Sequence, residues 1–365
     1  MKETFLKNIT LFAFIVSVLQ SNLNVLALTN DDGNKNIYTV IIKNNIRYGA
    51  INNVGKELFS INVSNLGQFF EGFAIYHHKN KFGYIDSLGH STIFHEYDSA
   101  QNFSEGLALV SVGKRFYFID KKGNKILKTP YFPPFTMPCS CKYSEGLVGI
   151  TLREVPFQMG YFDKKGKMIF QLPERYVGGG FSEGFAPVRV SLKNGYAYKF
   201  GYIDKSGNII IPLIYDTALP FSEGIGMVRE NKNYKGIDRH GKELFKITAD
   251  ECWPFSDGLS KVSVNQKIGF INPKGQIVII PQFDWACSFY NGRALVEIKK
   301  DTLKSLIKLR DKESMYGYID KTGKMVIPAI FESASNFDGD LAEVRLNGKQ
   351  CYIDKNGKII WKQPD

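Results

Sequence analysis

The chain has 365 residues, with 47 Lys and Arg against 36 Asp and Glu, a hydrophobic fraction of 44% and an aromatic fraction of 14%. This content excludes an intrinsically disordered chain, and the lack of an apolar run of about 18 residues excludes a polytopic membrane protein. Length alone predicts two or three domains, but that expectation fails for proteins built from internal repeats.

The first 27 residues have the features of a secretory signal peptide. Lys2 and Lys7 precede or flank an apolar run over 9–19, and Val25-Leu26-Ala27 ends in a small residue suited to cleavage. An uncleaved anchor or a buried N-terminal segment is the alternative. We therefore expect a secreted, periplasmic or cell-surface protein, with residues 28–36 as a flexible leader and residues 37–365 as one array of repeats.

The five cysteines are an odd number for an exported protein: Cys139, Cys141, Cys252, Cys287 and Cys351. A chain of this length does not depend on disulfides for its core, and none of the spacings is typical of a zinc site. Buried free thiols are the simplest interpretation. One long-range disulfide is the alternative.

One short phrase recurs nine times and sets a period of 34 residues. Its Asp or Asn stands at 52, 86, 120, 163, 204, 238, 272, 320 and 354, and a Gly follows three residues later each time. A second phrase, Phe-Ser-Glu-Gly or a close variant, lies between successive copies of the first, at 69, 103, 143, 181, 221, 255, 289 and 337. The extra residues that break the period fall at only two points within it, which predicts loops at those points.

The first phrase predicts a tight turn at the tip of a β-hairpin. An Asp side chain accepts hydrogen bonds from backbone N–H groups further along such a turn, and Gly supplies the left-handed conformation that follows. The residues assigned to this structural role are Asp86, Gly89, Asp120, Gly123, Asp204, Gly207, Asp320 and Gly323. Pro212, Pro281 and Pro328 are expected to end the outgoing strand because proline cannot donate to a ladder.

A third strand with alternating apolar residues follows each second phrase, as in Leu107-Ala108-Leu109-Val110. We therefore predict an all-β fold of tandem three-stranded β-hairpin repeats in an open, solenoid-like array, in which each unit covers its neighbour's apolar face. A propeller-like ring is the alternative. Asp340, which replaces the Gly of the last second phrase, favours the open array because a terminal unit that caps the array is expected to depart from the pattern.

In the two recurring phrases and the strands between them, the sequence resembles the bacterial WG repeat, also called the KWG repeat. The shared unit is an aromatic-Gly-Tyr-Ile-Asp-Lys-x-Gly-Lys hairpin, then Ile-Pro, Tyr-Asp and Phe-Ser-Glu-Gly, and the resemblance extends from Tyr48 to Ile360. The chain departs from the family where Trp-Gly is replaced by pairs such as Phe82-Gly83 and Tyr316-Gly317. The resemblance implies a β-rich repeat without a defined activity and supplies no catalytic residues.

No constellation of polar residues indicates an enzyme. The repeated Asp and Glu are explained by the turns, whereas a glycosidase needs two unlike carboxylates in one pocket. The adjacent His77 and His78 point to opposite faces of a strand, so they do not form a simple metal site with His90 and His95. We therefore predict no catalytic, cofactor-binding or metal-binding residues.

The turn tips carry an excess of positive charge and, if the units stack in register, align into a basic ridge. The ridge residues are Lys121, Lys122, Lys164, Lys165, Lys205, Arg239, Lys274, Lys321 and Lys355. Exposed lysines that only maintain solubility are the alternative. Two long insertions, 128–142 and 299–314, lie on the same scaffold, the first rich in Pro and aromatic residues and the second basic.

These features predict an exported, non-enzymatic β-repeat scaffold that binds a protein or an anionic polymer of the cell envelope through the tips and insertions. No nucleic acid partner and no membrane span after signal cleavage are expected. The alternatives are a secreted enzyme of the carbohydrate hydrolase class, with its site where the insertions meet, and a purely structural envelope protein.

Overall fold

The computed structural model describes residues 37–43, 47–129, 142–154, 157–192, 197–299 and 314–364. The predicted signal peptide, the leader and most of both long insertions lie outside these residues. The described residues form nine small antiparallel sheets, numbered here in chain order.

Sheet 1 consists of β1 (Ile37–Lys43), β2 (Arg47–Asn52) and β3 (Glu57–Asn62), and sheet 2 of β4 (Asn65–Phe70), β5 (Phe73–His78), β6 (Lys81–Asp86) and β7 (Ser91–Tyr97). Sheet 3 consists of β8 (Ser99–Ala100), β9 (Leu107–Val112), β10 (Arg115–Asp120) and β11 (Lys125–Thr129), and sheet 4 of β12 (Leu147–Glu154), β13 (Phe157–Asp163) and β14 (Met168–Gln171). Sheet 5 consists of β15 (Tyr176–Gly178), β16 (Ala186–Ser191), β17 (Tyr198–Ile203) and β18 (Ile209–Tyr215), and sheet 6 of β19 (Thr217–Ala218), β20 (Gly226–Glu230), β21 (Asn233–Ile237) and β22 (Glu243–Thr248). Sheet 7 consists of β23 (Glu251–Ser256), β24 (Leu259–Val264), β25 (Lys267–Ile271) and β26 (Ile277–Phe283). Sheet 8 consists of β27 (Trp285–Ala286), β28 (Ala294–Lys299), β29 (Ser314–Ile319) and β30 (Met325–Phe331), and sheet 9 of β31 (Ser333–Ala334), β32 (Leu341–Leu346), β33 (Lys349–Asp354) and β34 (Ile359–Lys362).

The array is closed, because the first sheet packs against the last. The rings of Tyr38 and Tyr352 lie 5.3 Å apart, and both tyrosines join an apolar cluster with Val40, Leu341 and Trp361. The Tyr352 hydroxyl donates to the carbonyl oxygen of Thr39 at 2.7 Å. The prediction of an open, solenoid-like array is therefore wrong, and the alternative of a ring describes the fold. The nine sheets are the blades of a β-propeller, and they are called blades 1 to 9 below.

The prediction of three strands per repeat is also wrong for seven of the nine blades. Each of those seven has one additional strand, often very short, which comes first in its blade and lies just before or within the second phrase. Ser99–Ala100 in blade 3 is an example. A two-residue strand such as β8, β19 or β27 carries no alternating pattern, so the sequence does not reveal it. The all-β class and the repeated hairpins are confirmed.

The prolines do not end the outgoing strand. Pro212 lies inside β18, Pro281 inside β26 and Pro328 inside β30, and the ladder shifts register near each of them. This strand is the fourth of its blade and lies at the edge of the sheet, where a missing N–H does not cost a ladder bond.

Five of the nine blades are joined to the next blade by a tyrosine of the third strand. The Tyr84 hydroxyl donates to the carbonyl oxygen of Gln101 in the next blade at 2.7 Å, and Tyr202 and Tyr318 do the same toward blades 6 and 9. Blade 7 has Phe270 at this position and therefore has no hydroxyl to donate.

Lys261 makes the corresponding contact from blade 7 to blade 8. Its side chain is only 3% exposed, its Nζ donates to the carbonyl oxygen of Ala286 at 3.1 Å, and it lies 4.0 Å from the centre of the Trp253 ring. Other blades have an apolar residue at this position, such as Leu109 or Leu295. Burial lowers the pKa of Lys261 to about 8, because the charged form loses its hydration.

We expect Lys261→Met to stabilise the protein at pH 7 by about 1–2 kcal/mol, because an apolar side chain removes the cost of a buried charge. The folded pKa of Lys261 lies below its unfolded value, so this cost is fully present below pH 8. It disappears as the pH rises from about 8 toward the unfolded pKa of 10.5. The advantage of the variant should therefore shrink over that range in urea unfolding curves.

Leu295→Met, at the same position of blade 8, is the matched control and should show no such pH dependence. A Lys261→Met protein that is less stable than the wild type at pH 7 would contradict this account.

Candidate binding faces

The blades present two faces with different construction. The tip face carries the turns between first and second strands and those between third and fourth strands. The loop face carries the turns between second and third strands and the connections from each fourth strand to the next blade. Both predicted phrases lie on the tip face.

The predicted turn residues occupy the third-to-fourth turns in the expected manner. In blade 2, Asp86 Oδ1 accepts hydrogen bonds from the backbone N–H groups of Leu88 and His90, both at 2.9 Å. Gly89 follows with a φ of 83°, which is the left-handed region that favours glycine. The same arrangement recurs at Asp120 with Gly123, Asp204 with Gly207 and Asp320 with Gly323.

The second phrase forms a two-residue hairpin turn in which both central residues have positive φ. In blade 3 these are Glu105 (53°) and Gly106 (87°), closed by hydrogen bonds between Ser104 and Leu107 in both directions. This geometry is that of a type I′ turn, and it leaves the N–H groups of Glu105 and Gly106 directed away from their own sheet.

These N–H groups are bound by the glutamate of the preceding blade. Glu71 of blade 2 accepts from the N–H groups of Glu105 and Gly106 in blade 3, the latter at 2.8 Å. Glu105 in turn accepts from Glu145 at 2.5 Å and Gly146 at 2.8 Å in blade 4. The series continues from Glu145 to Gly184, Glu183 to Gly224, Glu223 to Gly258 and Asp257 to Gly292.

We call this series the carboxylate belt. The serines of the second phrases link the blades in the same order. Each Ser hydroxyl donates to the carbonyl oxygen of the aromatic residue in the next phrase, as Ser182 does to Phe221 at 2.7 Å. The sequence indicated that these glutamates accept hydrogen bonds in loops. It did not indicate that the donors belong to the next blade, because a local pattern carries no information on neighbours in space.

Most residues of the predicted basic ridge form ion pairs with this belt. The pairs are Lys121 with Glu71 (3.3 Å), Lys164 with Glu105 (3.2 Å), Lys205 with Glu145 (2.9 Å), Arg239 with Glu183 (3.4 Å) and Lys321 with Asp257 (2.7 Å). Lys355 lies 3.7 Å from Asp340 of its own blade. For Lys122, Lys165 and Lys274 the described residues provide no ion pair. The tip face thus alternates positive and negative charge, and the belt offsets much of the positive excess.

A second set of carboxylates joins the blades on the loop face. Asp216 pairs with Lys199 of blade 5 at 2.7 Å and accepts from the N–H of Asn231 in blade 6 at 2.7 Å. Asp98 makes the same bridge between Lys81 of blade 2 and Gly113 of blade 3. The hydrogen bond from Lys199 holds the pKa of Asp216 below its usual value.

The second long insertion has both ends on the loop face, opposite the tips, whereas the first begins after the loop-face end of β11 and ends at Lys142, next to the tip turn of blade 4. β11 ends at Thr129 and β12 begins at Leu147, so the first insertion lies in a connection between blades. The second joins β28 to β29, whose last paired residues are Lys299 and Ser314. The residues between these points lie outside the described chain. The tips and the second insertion therefore do not share one surface.

Other candidate chemistry is sparse among the described residues. His95 shares a hydrogen bond with Tyr76 and lies edge-on to His78, while His77 stacks on Phe82. Within the described ranges, three or more His, Cys, Asp or Glu side chains nowhere converge in a way that could hold a metal ion. No helix in the same ranges has the length and apolar character needed to cross a bilayer.

The described cysteines, Cys252, Cys287 and Cys351, are free thiols, and Cys139 and Cys141 lie outside the described residues. Burial raises the pKa of the Cys287 thiol to about 11. This thiol is therefore protonated at neutral pH and is not an activated nucleophile.

The belt can be tested by comparing Glu105→Gln with Glu223→Gln. Both glutamates accept from the next blade, but only Glu105 also pairs with a lysine, since Pro273 occupies the corresponding position beside Glu223. We expect Glu105→Gln to lower the free energy of unfolding by about 1–2 kcal/mol and Glu223→Gln by about half as much.

High salt should narrow the difference between the two variants, because screening weakens the partly exposed ion pair. Urea unfolding at low and high NaCl measures this. Equal losses at both salt concentrations would show that the lysine contributes nothing.

Comparison with known proteins agrees with this architecture. A eukaryotic initiation factor structure superposes with a TM-score of 0.61 at 9% identity, over 90% of this chain and 96% of that one. BamB from Moraxella catarrhalis gives 0.43 at 10% identity, over 75% and 91%, and Hsv2 from Kluyvelomyces marxianus gives 0.40 at 8%, over 68% and 94%. The first shows a shared fold alone, and the other two superpose too loosely to add to it.

No curated protein matches the sequence. The model of the WG containing repeat family matches residues 82–116, 159–191, 200–234, 237–267, 268–300 and 316–349, which together make up more than half of the chain. These ranges contain the aromatic-Gly-Tyr hairpins that begin at Phe82, Phe200 and Tyr316, and the belt residues Glu105, Glu183, Glu223 and Asp257. The chain belongs to the WG repeat family.

Proposed function

We propose that the protein is an exported, non-enzymatic propeller that binds a protein partner through its loop face. The observation that supports this most directly is the distribution of length variation. The turns of the tip face keep the same length wherever they are described, whereas the turns between second and third strands on the loop face gain residues in blades 4, 5 and 8.

The tip face is a poor choice for recognition because its groups are already engaged. The belt carboxylates accept backbone N–H groups of the next blade, and the cations beside them are paired. A partner would have to break these contacts to form its own. Loops held on a rigid scaffold are where binding residues concentrate in proteins generally.

The partner's chemistry is indicated by the second insertion. It carries Lys304, Lys308, Arg310 and Lys312 among Leu303, Leu306, Ile307 and Leu309. Mixed basic and aliphatic side chains favour a protein surface that combines acidic and apolar groups over a uniformly charged polymer.

Export is the part of this proposal that depends on the N-terminus. The Lys2 and Lys7 flanks, the apolar run over 9–19 and Ala27 support cleavage after residue 27. N-terminal sequencing of protein recovered from outside the cytoplasm should begin at Leu28. A chain that retains Met1 and stays in the cytoplasm would remove export from the proposal.

The binding face can be tested by replacing residues 300–313 with Asn-Gly. Because β28 and β29 pair up to Lys299 and Ser314, a two-residue turn can close this hairpin, as Asn265-Gln266 does in blade 7. We expect an unchanged melting temperature. Cross-linking in an envelope extract, with the linked residues mapped by mass spectrometry, should show at least a tenfold loss of partner protein.

Lys122→Ser with Lys165→Ser is the matched control on the tip face, since it removes two ridge cations without touching the belt. This variant should retain full cross-linking. Loss of the partner in the tip variant, together with its retention in the loop variant, would overturn the proposal and return recognition to the basic ridge.

A further inference from the structure

Two second-phrase turns receive no carboxylate from the described residues of a neighbouring blade. In blade 9 only Gly339 has a positive φ and the Tyr38 hydroxyl of blade 1 contacts the turn, so blade 2 has the one complete belt turn without a partner. Blades 3 to 8 each receive a carboxylate on the second-phrase turn, at Gly106, Gly146, Gly184, Gly224, Gly258 and Gly292. Blade 2 has the same turn at Glu71-Gly72, with φ values of 51° and 84°. No carboxylate of the described residues reaches its two N–H groups.

The reason lies in the first blade. In blade 3, the belt residue Glu105 stands two positions before Leu107, which pairs with Asp120. In blade 1, Ile37 pairs with Asn52 in the same way, so the corresponding position in sequence is Lys35. A lysine cannot supply the acceptor that every later belt position from Glu71 to Asp257 supplies.

The Glu71-Gly72 turn is nevertheless built like the others. Its backbone has the conformation in which six other turns bind a carboxylate, and successive N–H groups in such turns form a concave site for anions. The Glu71 carboxylate is directed to Glu105 and Gly106 of blade 3, so it does not compete for its own turn.

We propose that the Glu71-Gly72 turn is a carboxylate-binding site that takes an acidic side chain from outside the ring of blades. That side chain belongs either to a partner protein or to the chain's own leader, which contains Asp31 and Asp32. The site lies on the tip face and does not depend on the loop-face proposal. One carboxylate on two N–H groups binds weakly, so the site adds selectivity for an acidic residue to a larger contact.

The turn of blade 2 lacks the cation that lies beside the bound carboxylate in other blades. Blades 3, 4 and 5 place Lys121, Lys164 and Lys205 beside the bound carboxylate, whereas blade 2 has Ser87 at that position of its turn. Ser87→Lys should therefore supply the missing cation and tighten binding of any carboxylate at Gly72.

The experiment is a titration of the full chain, labelled with ¹⁵N at glycine, with sodium acetate against sodium chloride of equal ionic strength. The Gly72 amide resonance should shift in a saturable way with acetate alone. The Gly106 resonance, whose N–H already holds Glu71, should not. Ser87→Lys should lower the acetate dissociation constant several-fold.

A double variant, Asp31→Asn with Asp32→Asn, identifies the source of the carboxylate. If Gly72 responds to acetate only in this variant, the leader occupies the site in the wild type. If the wild type and the double variant respond equally, the site is open to a partner. The absence of a saturable Gly72 shift in the wild type, the double variant and Ser87→Lys would overturn the proposal.

Discussion

Blades 3 to 8 of this propeller each depend on the preceding blade to satisfy the turn of the second phrase. The belt glutamate leaves its own hairpin and accepts N–H groups of the next one, while a tyrosine hydroxyl and a loop-face aspartate make further bonds across the same interfaces. A buried N–H without an acceptor costs about 1–3 kcal/mol, so these contacts favour adjacent blades over isolated ones. Between them, apolar clusters such as Phe221 with Tyr202 fill the space.

Close approach of strands within a blade explains the glycine that six of the nine repeats carry three residues before the turn Asp or Asn. A Cβ at Gly83 would lie 2.6 Å from the carbonyl oxygen of Ile93, and one at Gly201 would lie 2.3 Å from that of Ile211. The glycine is therefore required by the bulge in the fourth strand. The residue before it varies among Phe, Tyr, Met and Ile because it only has to fill a buried or half-buried apolar space, which accounts for the missing tryptophans.

The local features of this fold follow from sequence, while its closure does not. Asp86 with Gly89 defines a hairpin turn by local hydrogen bonds alone, so a five-residue phrase suffices to predict it. Ring closure depends on Tyr38 meeting Tyr352 over 300 residues away, and on blade curvature, which no single repeat encodes. The departure at Asp340 suggested an end cap, but Tyr38 of blade 1 binds this turn by donating to the Asp338 carbonyl oxygen. The opposed faces of the tips and the second insertion also required knowledge of strand order.

The belt has a direction, because each carboxylate points from a lower-numbered blade to the next. Each repeat from blade 3 to blade 7 carries one donor half and one acceptor half of the interface, so duplicating or deleting one of these repeats leaves every remaining belt junction chemically complete. The junctions around blade 1 and the junction from blade 8 to blade 9, where Asn291 replaces the belt carboxylate, use different chemistry. A propeller of this kind can therefore change its number of blades through simple tandem duplication, with ring diameter rather than side-chain complementarity as the limit.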